Sequence, residues 1–414
     1  MDIIIKSFLV FFILLTCSCE HKKNTLPIKV IPVASAVGNY NILNLSDYIA
    51  EIKYIPLETN NSALIGRIWH INFENEKILI ESSFEALTSN CFLFDDKGKF
   101  CCKIGDYGQG PNDYLDVRHT FIFDNYIYIM DVIGNKLLIY NANGFLVENK
   151  KLQINEITKK HNEYYMYHHI FPLKKDTFVM NVSSPYGYYP KAVLFEANQS
   201  KIIKEYPNNV KIDKRQPGGT FCEFGNMYRF KDDVRAYKAI NDTIFTIDQS
   251  LDMKEAFIFE SGKYKLPLSF IEQKEPIASE NYIIPFEIFE SFDYIFIDFD
   301  FGNFAPEPYE IINKVGMSVA QTHVYGVFKK NTGEITLMKQ PIKGKLGFRN
   351  DVDNGPVLWP QYISSNNELV TYISVEDFLD YYDKIETPTP QMIEIAKNAE
   401  MDDNPIVIIA KLKK

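Results

Sequence analysis

Cysteine is scarce in this sequence. The 414 residues include six cysteines, and two of these lie within the first 19 positions. The other four do not form the dense set that holds small secreted domains together, and no CxxC pair or histidine-rich spacing suits zinc. We therefore expect no structural zinc site. The cysteines expected to be small apolar core residues, with one disulfide still possible, are Cys91, Cys101, Cys102 and Cys222.

Blocks of like charge are also missing. The chain has 44 Lys and Arg residues against 54 Asp and Glu residues, and they are dispersed along its length. A nucleic-acid-binding surface needs clustered Lys and Arg, so we expect no nucleic-acid partner. The sequence also contains no Gly-x-Ser-x-Gly segment and no recognisable Ser, His and Asp set for a hydrolase triad.

Long apolar runs are absent except near the amino terminus. Residues 7–15, "SFLVFFILL", form a run that is too short for the about 20 residues of a membrane-spanning helix and is typical of a signal peptide. The following "LTCSC" resembles a bacterial lipobox. Cys19 is the predicted lipid anchor, because Ser18 is a better small residue before the cut than Thr16; an ordinary signal peptide is the alternative. We predict a signal peptide at 1–19, a tether at 20–35 and an exported lipoprotein of the outer membrane or cell surface.

Aromatic residues are plentiful. The chain has 26 Tyr and 31 Phe residues, which favour strands. From residue 28 onward, short apolar or alternating runs are separated by turn sequences such as Lys97-Gly98, Asn143-Gly144 and Asn331-Thr332-Gly333. These turns supply the positive φ angle that tight hairpins require. Units of four such runs are typical of propeller blades, so we predict an all-β propeller that forms a single domain over residues 36–414.

The two ends of the chain suggest how the ring closes. The carboxyl-terminal "IVIIAKLKK" is predicted to be a strand that completes a blade with an early strand, from either "IKVIPV" or "EIKYIPLET". Just before it, "TPQMIEIAKNAE" predicts a short helix. Pro390 suits its first turn, and Met392, Ile393 and Ala396 are predicted to share a face.

A glycine-rich segment, "KIGDYGQGPNDYLDV" at residues 103–117, raises the question of a phosphate site. A phosphate-binding loop lies between a strand and a helix, whereas the residues that follow here have a β pattern. We interpret the segment as a structural loop between neighbouring blades, whose glycines allow a close path and whose proline stiffens it. The loop residues are Gly105, Gly108, Gly110, Pro111 and Tyr114.

Four segments together resemble a known family. They are "YIPLETNNSALIGRI", "FLFDDKGKFCCKIGDYGQGPNDYLDV", "NDVDNGPVLWPQYIS" and "MDDNPIVIIAKLKK", in that order. The sequence resembles the six-bladed β-propeller lipoproteins of gut anaerobic bacteria, which look similar to NHL-repeat propellers. The family's Gly-Gln-Gly-Pro loop, followed by an acidic residue and Tyr, is matched by Gly108, Gln109, Gly110, Pro111, Asp113 and Tyr114. The resemblance implies six blades and does not imply a reaction.

The densest polar segment is "FRNDVDNGPVLWPQYIS", residues 348–364. Asp351 and Asp353 could offer oxygens to Ca²⁺, although the terminal glutamate of an EF-hand loop is absent. One alternative is an Asx-rich turn in which Trp359 packs against a blade edge. Another is a platform for a sugar ring made by Trp359. No cofactor is predicted, and Ca²⁺ is the one that these residues would suit.

Other polar residues are weaker candidates. His168 and His169 are adjacent, so on a regular strand they point to opposite faces and cannot ligate one metal. We expect each to be an ordinary core or surface histidine. Arg67, Arg118 and His119 lie near predicted blade starts, where inner strands face the channel, and they are candidates for a polar funnel.

Two functions of different class remain. The favoured hypothesis is a lipid-anchored scaffold whose loops bind a protein or glycan partner, because no motif demands catalysis. The alternative is a metal-dependent hydrolase or lactonase with its site in the channel. That alternative requires acidic and amide side chains from several blades to converge on one point.

Overall fold

The structure, a computed structural model, describes residues 28–85, 88–117, 120–153, 166–183, 190–208, 225–267, 279–312 and 318–413. The first elements are β1 (Lys29–Ile31), α1 (Val33–Ala36), β2 (Tyr40–Asn41) and β3 (Ile49–Pro56). Short 3-10 helices occupy Leu45–Asp47, Ala239–Asn241, Gly262–Tyr264, Ser279–Asn281 and Gly302–Phe304.

Six antiparallel sheets follow one another around a ring, which confirms the predicted all-β, six-bladed propeller. Blade 1 contains β4 (Arg67–Glu74), β5 (Lys77–Glu85), β6 (Thr88–Asp95) and β7 (Phe100–Lys103). Blade 2 contains β8 (Thr120–Phe123), β9 (Tyr126–Asp131), β10 (Lys136–Asn141) and β11 (Leu146–Lys151). Blade 3 contains β12 (Met166–Lys174), β13 (Thr177–Ser183), β14 (Ala192–Glu196) and β15 (Lys201–Tyr206).

The remaining blades carry additions. Blade 4 contains β16 (Gly225–Phe230), β17 (Asp233–Lys238), β18 (Thr243–Ile247) and β19 (Met253–Phe259), with β1 added at its outer edge. Blade 5 contains β20 (Ile284–Glu290), β21 (Tyr294–Asp300), β24 (His323–Lys329) and β25 (Glu334–Met338), with β2 outside. A hairpin of β22 (Tyr309–Ile312) and β23 (Ser318–Gln321) is inserted in blade 5. Blade 6 contains β26 (Tyr362–Ile363), β27 (Glu368–Ile373), α2 (Val375–Tyr382), α3 (Pro390–Asn398), β28 (Ile406–Leu412) and β3.

Turn chemistry explains the hairpins within blades. Asp124 and Asn125 both have positive φ, 50° and 62°, and they join β8 to β9 as a two-residue turn. Gly144 has a φ of 81° between β10 and β11. Asp, Asn and Gly tolerate this left-handed backbone best, so the strand boundaries follow from local sequence.

The ring closes through β3. This strand pairs antiparallel with β28, with Tyr54 opposite Ile408 and Pro56 opposite Ile406. Of the two predicted partners, the segment "EIKYIPLET" therefore closes the ring. The other segment contains β1, which instead runs parallel to β19 of blade 4.

Part of the predicted tether packs on the propeller. Within residues 20–35, β1 extends the sheet of blade 4, and Ile31 and Val33 are 0% exposed. Burial of two aliphatic side chains favours docking over a solvated linker. In the part of the chain that the structure describes, no helix is long and apolar enough to cross a membrane.

Helix α3 begins where the sequence predicts. The Thr389 side chain accepts a hydrogen bond from the Met392 backbone at 3.3 Å, and Pro390 occupies the first turn. Its buried residues are Met392 and Ile395, whereas Ile393 is 46% exposed. The predicted apolar face was therefore wrong at Ile393, because residues three apart on a helix share a face and adjacent residues do not.

The apolar core lies between blades. The largest cluster joins buried residues of blades 2 to 5, and a second surrounds Phe296, Phe348 and Trp359 between blades 5 and 6. Cys91 is buried as expected, but Cys101 is exposed on the edge strand β7, and both are free thiols. Cys222 lies outside the described residues.

Candidate functional site

A cavity of about 790 Å³ runs along the axis of the ring. Each blade contributes its first strand, which has no pairing strand on the channel side. The lining residues lie within 68–75, 120–125, 169–171, 226–232, 287–292 and 361–367, together with Tyr372. One end of this channel is formed by the turns that follow these first strands, and we call it the turn end. Its turns include residues 75–76, 124–125, 231–232 and 291–293.

Hydrogen bonds between blades organise the turn end. Glu74 of blade 1 accepts hydrogen bonds from the Tyr362 hydroxyl at 2.7 Å and from the Ser365 backbone at 2.8 Å, both in blade 6. The Asn75 side-chain amide donates to the Asn125 side-chain oxygen of blade 2 at 2.9 Å. Carboxylate and amide groups are thus used to hold three blades in register around the channel.

Arg229 of blade 4 crosses the channel near this end. Its guanidinium carbon lies 4.4 Å from the ring centroid of Phe123 in blade 2, and its Nη2 donates to the Lys231 carbonyl at 3.0 Å. Burial lowers the pKa of Arg229, although an arginine remains charged at neutral pH. Arg229 forms no ion pair with any carboxylate among the described residues. The channel therefore contains a cation that is free to pair with a ligand.

Aromatic side chains supply apolar surface in the channel. Trp69 is 41% exposed, and its ring nitrogen donates to the Ser83 hydroxyl at 2.6 Å. The guanidinium carbon of Arg67, one of the predicted funnel residues, lies 3.9 Å from the Trp69 ring centroid. Phe292 at the turn end is 48% exposed. Aromatic faces next to polar groups are typical of small-ligand sites.

Glu287 of blade 5 is the other notable charge-bearing group. Its strand position is opposite Asp298, and its carboxyl makes no hydrogen bond to any residue that the structure describes. Burial, with a contribution from the Asp298 charge, raises the pKa of Glu287 to about 7. Desolvation disfavours a carboxylate, so Glu287 is partly protonated at neutral pH.

Asp298 is already paired. Its Oδ1 lies 2.7 Å from Nδ1 of His323, and the edge of Phe286 packs on the same histidine with ring centroids 5.5 Å apart. Burial alone would lower the pKa of His323, but the hydrogen bond and charge of Asp298 outweigh it and raise that pKa. Asp298 thus has a hydrogen-bonding partner in His323, and Glu287 has none of its own.

Glu290 lies three residues further along β20, and both oxygens of its carboxylate accept hydrogen bonds from the protein. Its Oε2 accepts from Arg235 Nε at 2.8 Å and from the Tyr228 hydroxyl at 3.1 Å, and its Oε1 accepts from Lys330 at 2.6 Å. These bonds link blades 4 and 5. Burial would raise the pKa of Glu290, but the two cations lower it below its ordinary value. This carboxylate is occupied by the protein itself.

The two predicted calcium ligands do not converge. Asp351 accepts hydrogen bonds from the Ser46 backbone at 2.9 Å and the Ser46 hydroxyl at 2.6 Å. Asp353 is 7% exposed and accepts from the Tyr54 hydroxyl at 3.2 Å and the Gly355 backbone at 3.0 Å. Both carboxylates therefore fasten the early chain, including the closing strand β3, to the segment before blade 6.

Trp359 does not present a face to a sugar. It is 6% exposed and stacks on Tyr325 with ring centroids 4.1 Å apart, while Phe296 meets it edge-on at 5.9 Å. Its large apolar ring is more favourable between blades 5 and 6 than in water. Trp359 therefore lies between two blades and does not line the channel, whereas Trp69 does.

The glycine-rich loop joins blade 1 to blade 2. The Asp113 carboxylate accepts from the Gly110 backbone at 2.8 Å, and a side chain at Gly108 or Gly110 would collide with that carboxylate. Lys136 of blade 2 donates to the Gly110 carbonyl at 2.9 Å, and Asn149 donates to the Pro111 carbonyl at 2.6 Å.

Buried aromatic rings anchor this loop. Tyr114 is fully buried, and a side chain at Gly105, where φ is +61°, would meet the Tyr114 ring and the Tyr140 hydroxyl. The loop therefore has a close path imposed by its packing on blade 2.

Several candidates lie outside the described residues, namely Cys19, Arg118 and His119. His169 contributes to the channel wall, and a bulge lies between Tyr167 and His169, so the strand is not regular at the histidine pair. Within the described ranges, no group of three or more His, Cys, Asp or Glu side chains is arranged to hold a metal ion.

Sequence reasoning missed the main polar residues of the channel: Trp69, Arg229 and Glu287. Each lies on the first strand of a blade, in "RIWHINFE", "GNMYRF" and "IPFEIFE". A signal was available, because an ionisable or tryptophan side chain within an otherwise apolar first strand either pairs or faces the channel. The sequence does not show which of these two occurs.

The chain belongs to the family described as a domain of unknown function (DUF4934), whose family model matches residues 28–411. No curated protein matches the sequence. A protein of Bacteroides fragilis NCTC 9343, named "Putative exported protein", has a similar crystal structure, with a TM-score of 0.64, 19% identity and coverage of 93% of this chain and 100% of that chain. A member of the duf4221 family from Bacteroides vulgatus has a TM-score of 0.46 and 12% identity, with coverage of 88% of this chain and 97% of that chain. At these identities the likeness shows the fold alone.

Proposed function

We propose that this member of the DUF4934 family is an exported, lipid-anchored propeller that binds a protein segment or a glycan in its central channel. The observation that carries the proposal is the cavity of about 790 Å³ to which all six blades contribute. Concave sites with aromatic walls and a few polar groups are typical of ligand binding. Unpaired Arg229 and Glu287 support it further, because a ligand would complete their interactions.

The amino-terminal residues support export and anchoring. The apolar run at residues 7–15 is typical of a signal peptide, and Cys19 follows a small residue as in a lipobox. The structurally similar Bacteroides fragilis protein is itself named as exported. A dually or triply acylated cysteine would hold the propeller at the membrane surface.

Metabolic labelling with palmitate tests the anchor. The wild-type protein and a Cys17→Ala control are expected to incorporate the label, and Cys19→Ala is expected to lose it. Labelling of Cys19→Ala, or loss of label only in Cys17→Ala, would overturn the choice of Cys19.

The metal-dependent hydrolase is not favoured. Its two candidate ligands, Asp351 and Asp353, bond to Ser46 and Tyr54 and lie away from the residues that line the channel. Convergence of acidic and amide groups on one point was the requirement of that hypothesis. The described residues support ligand binding more directly.

A channel-filling variant tests the binding proposal. Asn72 lines the channel on β4, so Asn72→Trp is expected to narrow it, while Lys53→Trp adds the same ring on the exposed outer strand β3. The probes are a set of soluble oligosaccharides and a set of di- to tetrapeptides, screened by isothermal titration calorimetry. At least one probe should bind the wild type and Lys53→Trp and fail to bind Asn72→Trp. Equal binding to Asn72→Trp, or binding of neither class, would overturn the proposal.

A further inference from the structure

The channel contains two ionisable groups of opposite charge type, Arg229 and Glu287, and neither forms an ion pair with a residue that the structure describes. Arg229 has an aromatic ring and a backbone carbonyl as its neighbours, and no described carboxylate pairs with it. Glu74, whose charge acts on Arg229, is itself held by Tyr362 and Ser365. Since a partly buried charge is costly without a partner, Arg229 is suited to an anionic group of a ligand.

Glu287 is suited to a cationic group. Its neighbour Asp298 is paired with His323 at 2.7 Å, and the ring of Tyr372 from blade 6 completes its surroundings in the channel. No described residue donates a hydrogen bond to the Glu287 carboxyl. An ammonium group placed there would supply the missing donor and would favour the ionised carboxylate.

The two groups lie at different depths in the channel. The first strands of the blades run in the same direction along the axis, and β16 and β20 are neighbours in the ring. Arg229 is one residue before the end of β16, and Glu287 is three residues before the end of β20. A difference of two residues corresponds to roughly 7 Å along the channel.

We propose that the channel binds a short peptide with free ends, its amine beside Glu287 and its carboxylate beside Arg229. This inference rests on the proposed function and names the class of ligand. A dipeptide spans at most about 7 Å and a tripeptide about 10 Å between its ends, so both are long enough to cover the offset of roughly 7 Å between the two strand positions along the channel. Along the channel, Trp69 lies beyond Glu287 and Phe292 lies beyond Arg229, so the two exposed rings offer apolar surface at either end of the peptide.

Four forms of one tripeptide test the proposal by calorimetry with the purified full-length protein in detergent micelles. The probes are Gly-Phe-Gly with free ends, its N-acetyl form, its C-terminal amide and the doubly capped form. We expect the free form to bind most tightly and each cap to weaken binding about tenfold or more, as expected for the loss of a charge-assisted hydrogen bond. Equal affinity of all four forms would overturn the proposal without any variant being needed.

Two variants assign the ends. In Glu287→Gln, N-acetylation should no longer weaken binding, while the C-terminal amide should still weaken it. In Arg229→Gln, the amide should no longer weaken binding, while N-acetylation should still weaken it. Matched controls on the exposed face of β3, Glu51→Gln and Lys53→Gln, should retain both penalties. Circular dichroism melting verifies that each variant is folded. If either channel variant loses both penalties equally while folded, the assignment of the ends is wrong.

The outcomes separate this inference from the proposed function. If no form of the tripeptide binds but another probe binds in a manner that Asn72→Trp abolishes, the peptide inference fails and channel binding stands. If no probe depends on the channel, both fail.

Discussion

Two glutamates on one strand differ in their partners: one is paired with cations, and the other lies in the channel without an ion pair to any described residue. Glu287 and Glu290 lie three residues apart on β20, and the alternation of side chains directs them to different neighbouring blades. Glu290 faces blade 4, whose Arg235 and Tyr228 bind it, and Lys330 of its own blade 5 binds it as well. Glu287 lies in the channel on the side toward blade 6, where no described residue donates to it.

The difference separates structural charge from functional charge. At the interface of blades 4 and 5, burial of Glu290 is offset by two cations and a hydroxyl, so the ion cluster joins the blades. At Glu287, the charge of His323 offsets burial only in part, and the pKa rises to about 7. A buried group whose pKa is strongly perturbed in a cleft is a candidate functional residue, whereas a paired one is usually structural.

The largest effect is expected when the paired glutamate is changed. Glu290→Gln would leave the buried charges of Arg235 and Lys330 without their partner, and this is expected to lower the free energy of unfolding by about 3–5 kcal/mol. Urea denaturation at pH 7 measures it. The control Glu51→Gln, on an exposed position, should change stability by no more than about 0.5 kcal/mol. A loss below about 1 kcal/mol in Glu290→Gln would mean that the cluster is not structural.

Glu287→Gln should raise the free energy of unfolding, whereas Glu290→Gln lowers it, and the size of the increase should depend on pH. Because the pKa of Glu287 is raised from 4.5 to about 7, the folded state binds more protons than the unfolded state in that window. The wild type therefore loses stability relative to Glu287→Gln as the pH rises through it.

Denaturation of both proteins from pH 4 to pH 8 measures this difference. The variant should gain about 1–3 kcal/mol over the wild type across the series, and the difference should level off only above about pH 8, where Glu287 is almost fully ionised in the folded protein. A difference that does not vary with pH would show that Glu287 is not buried in an uncompensated state.

Substitution of the neighbouring His323 is expected to have a smaller effect, which is a shift in the pH at which Glu287 titrates. The charge of His323 lowers the pKa of Glu287, so His323→Gln should move the titration of Glu287 upward by less than about one pH unit. The free energy of unfolding of His323→Gln is compared with that of the double variant His323→Gln/Glu287→Gln over the same pH series. A downward shift would contradict the arrangement of Glu287, Asp298 and His323.

Much of the fold was predictable from local sequence. The turns at Asp124-Asn125 and Asn143-Gly144 require left-handed backbone that these residues tolerate, so the hairpins could be located without tertiary information. The helix at Pro390 begins with a side-chain cap and a proline in its first turn, which are also local signals. The closing strand was narrowed to two segments, and long-range pairing decided between them.

The candidate site was far less predictable. Asp351, Asp353 and Trp359 are close together in sequence and form its densest polar segment, yet the two carboxylates fasten the early chain and Trp359 fills the space between blades 5 and 6. Trp69 and Arg229 stand in separate blades, and nothing local connects them.

The sequence by itself determined the β-propeller class, the hairpin turns and the loop between blades 1 and 2, because each depends on residues that are neighbours along the chain. Only the tertiary structure decided which side chains meet in the channel. Closing the ring brings six first strands together from segments up to about 290 residues apart. Whether a charged side chain on these strands finds a partner depends on which blade packs against it. Glu287 and Glu290 are the same residue type on the same strand, and the neighbouring blades alone make one a free group in the channel and the other a link between blades.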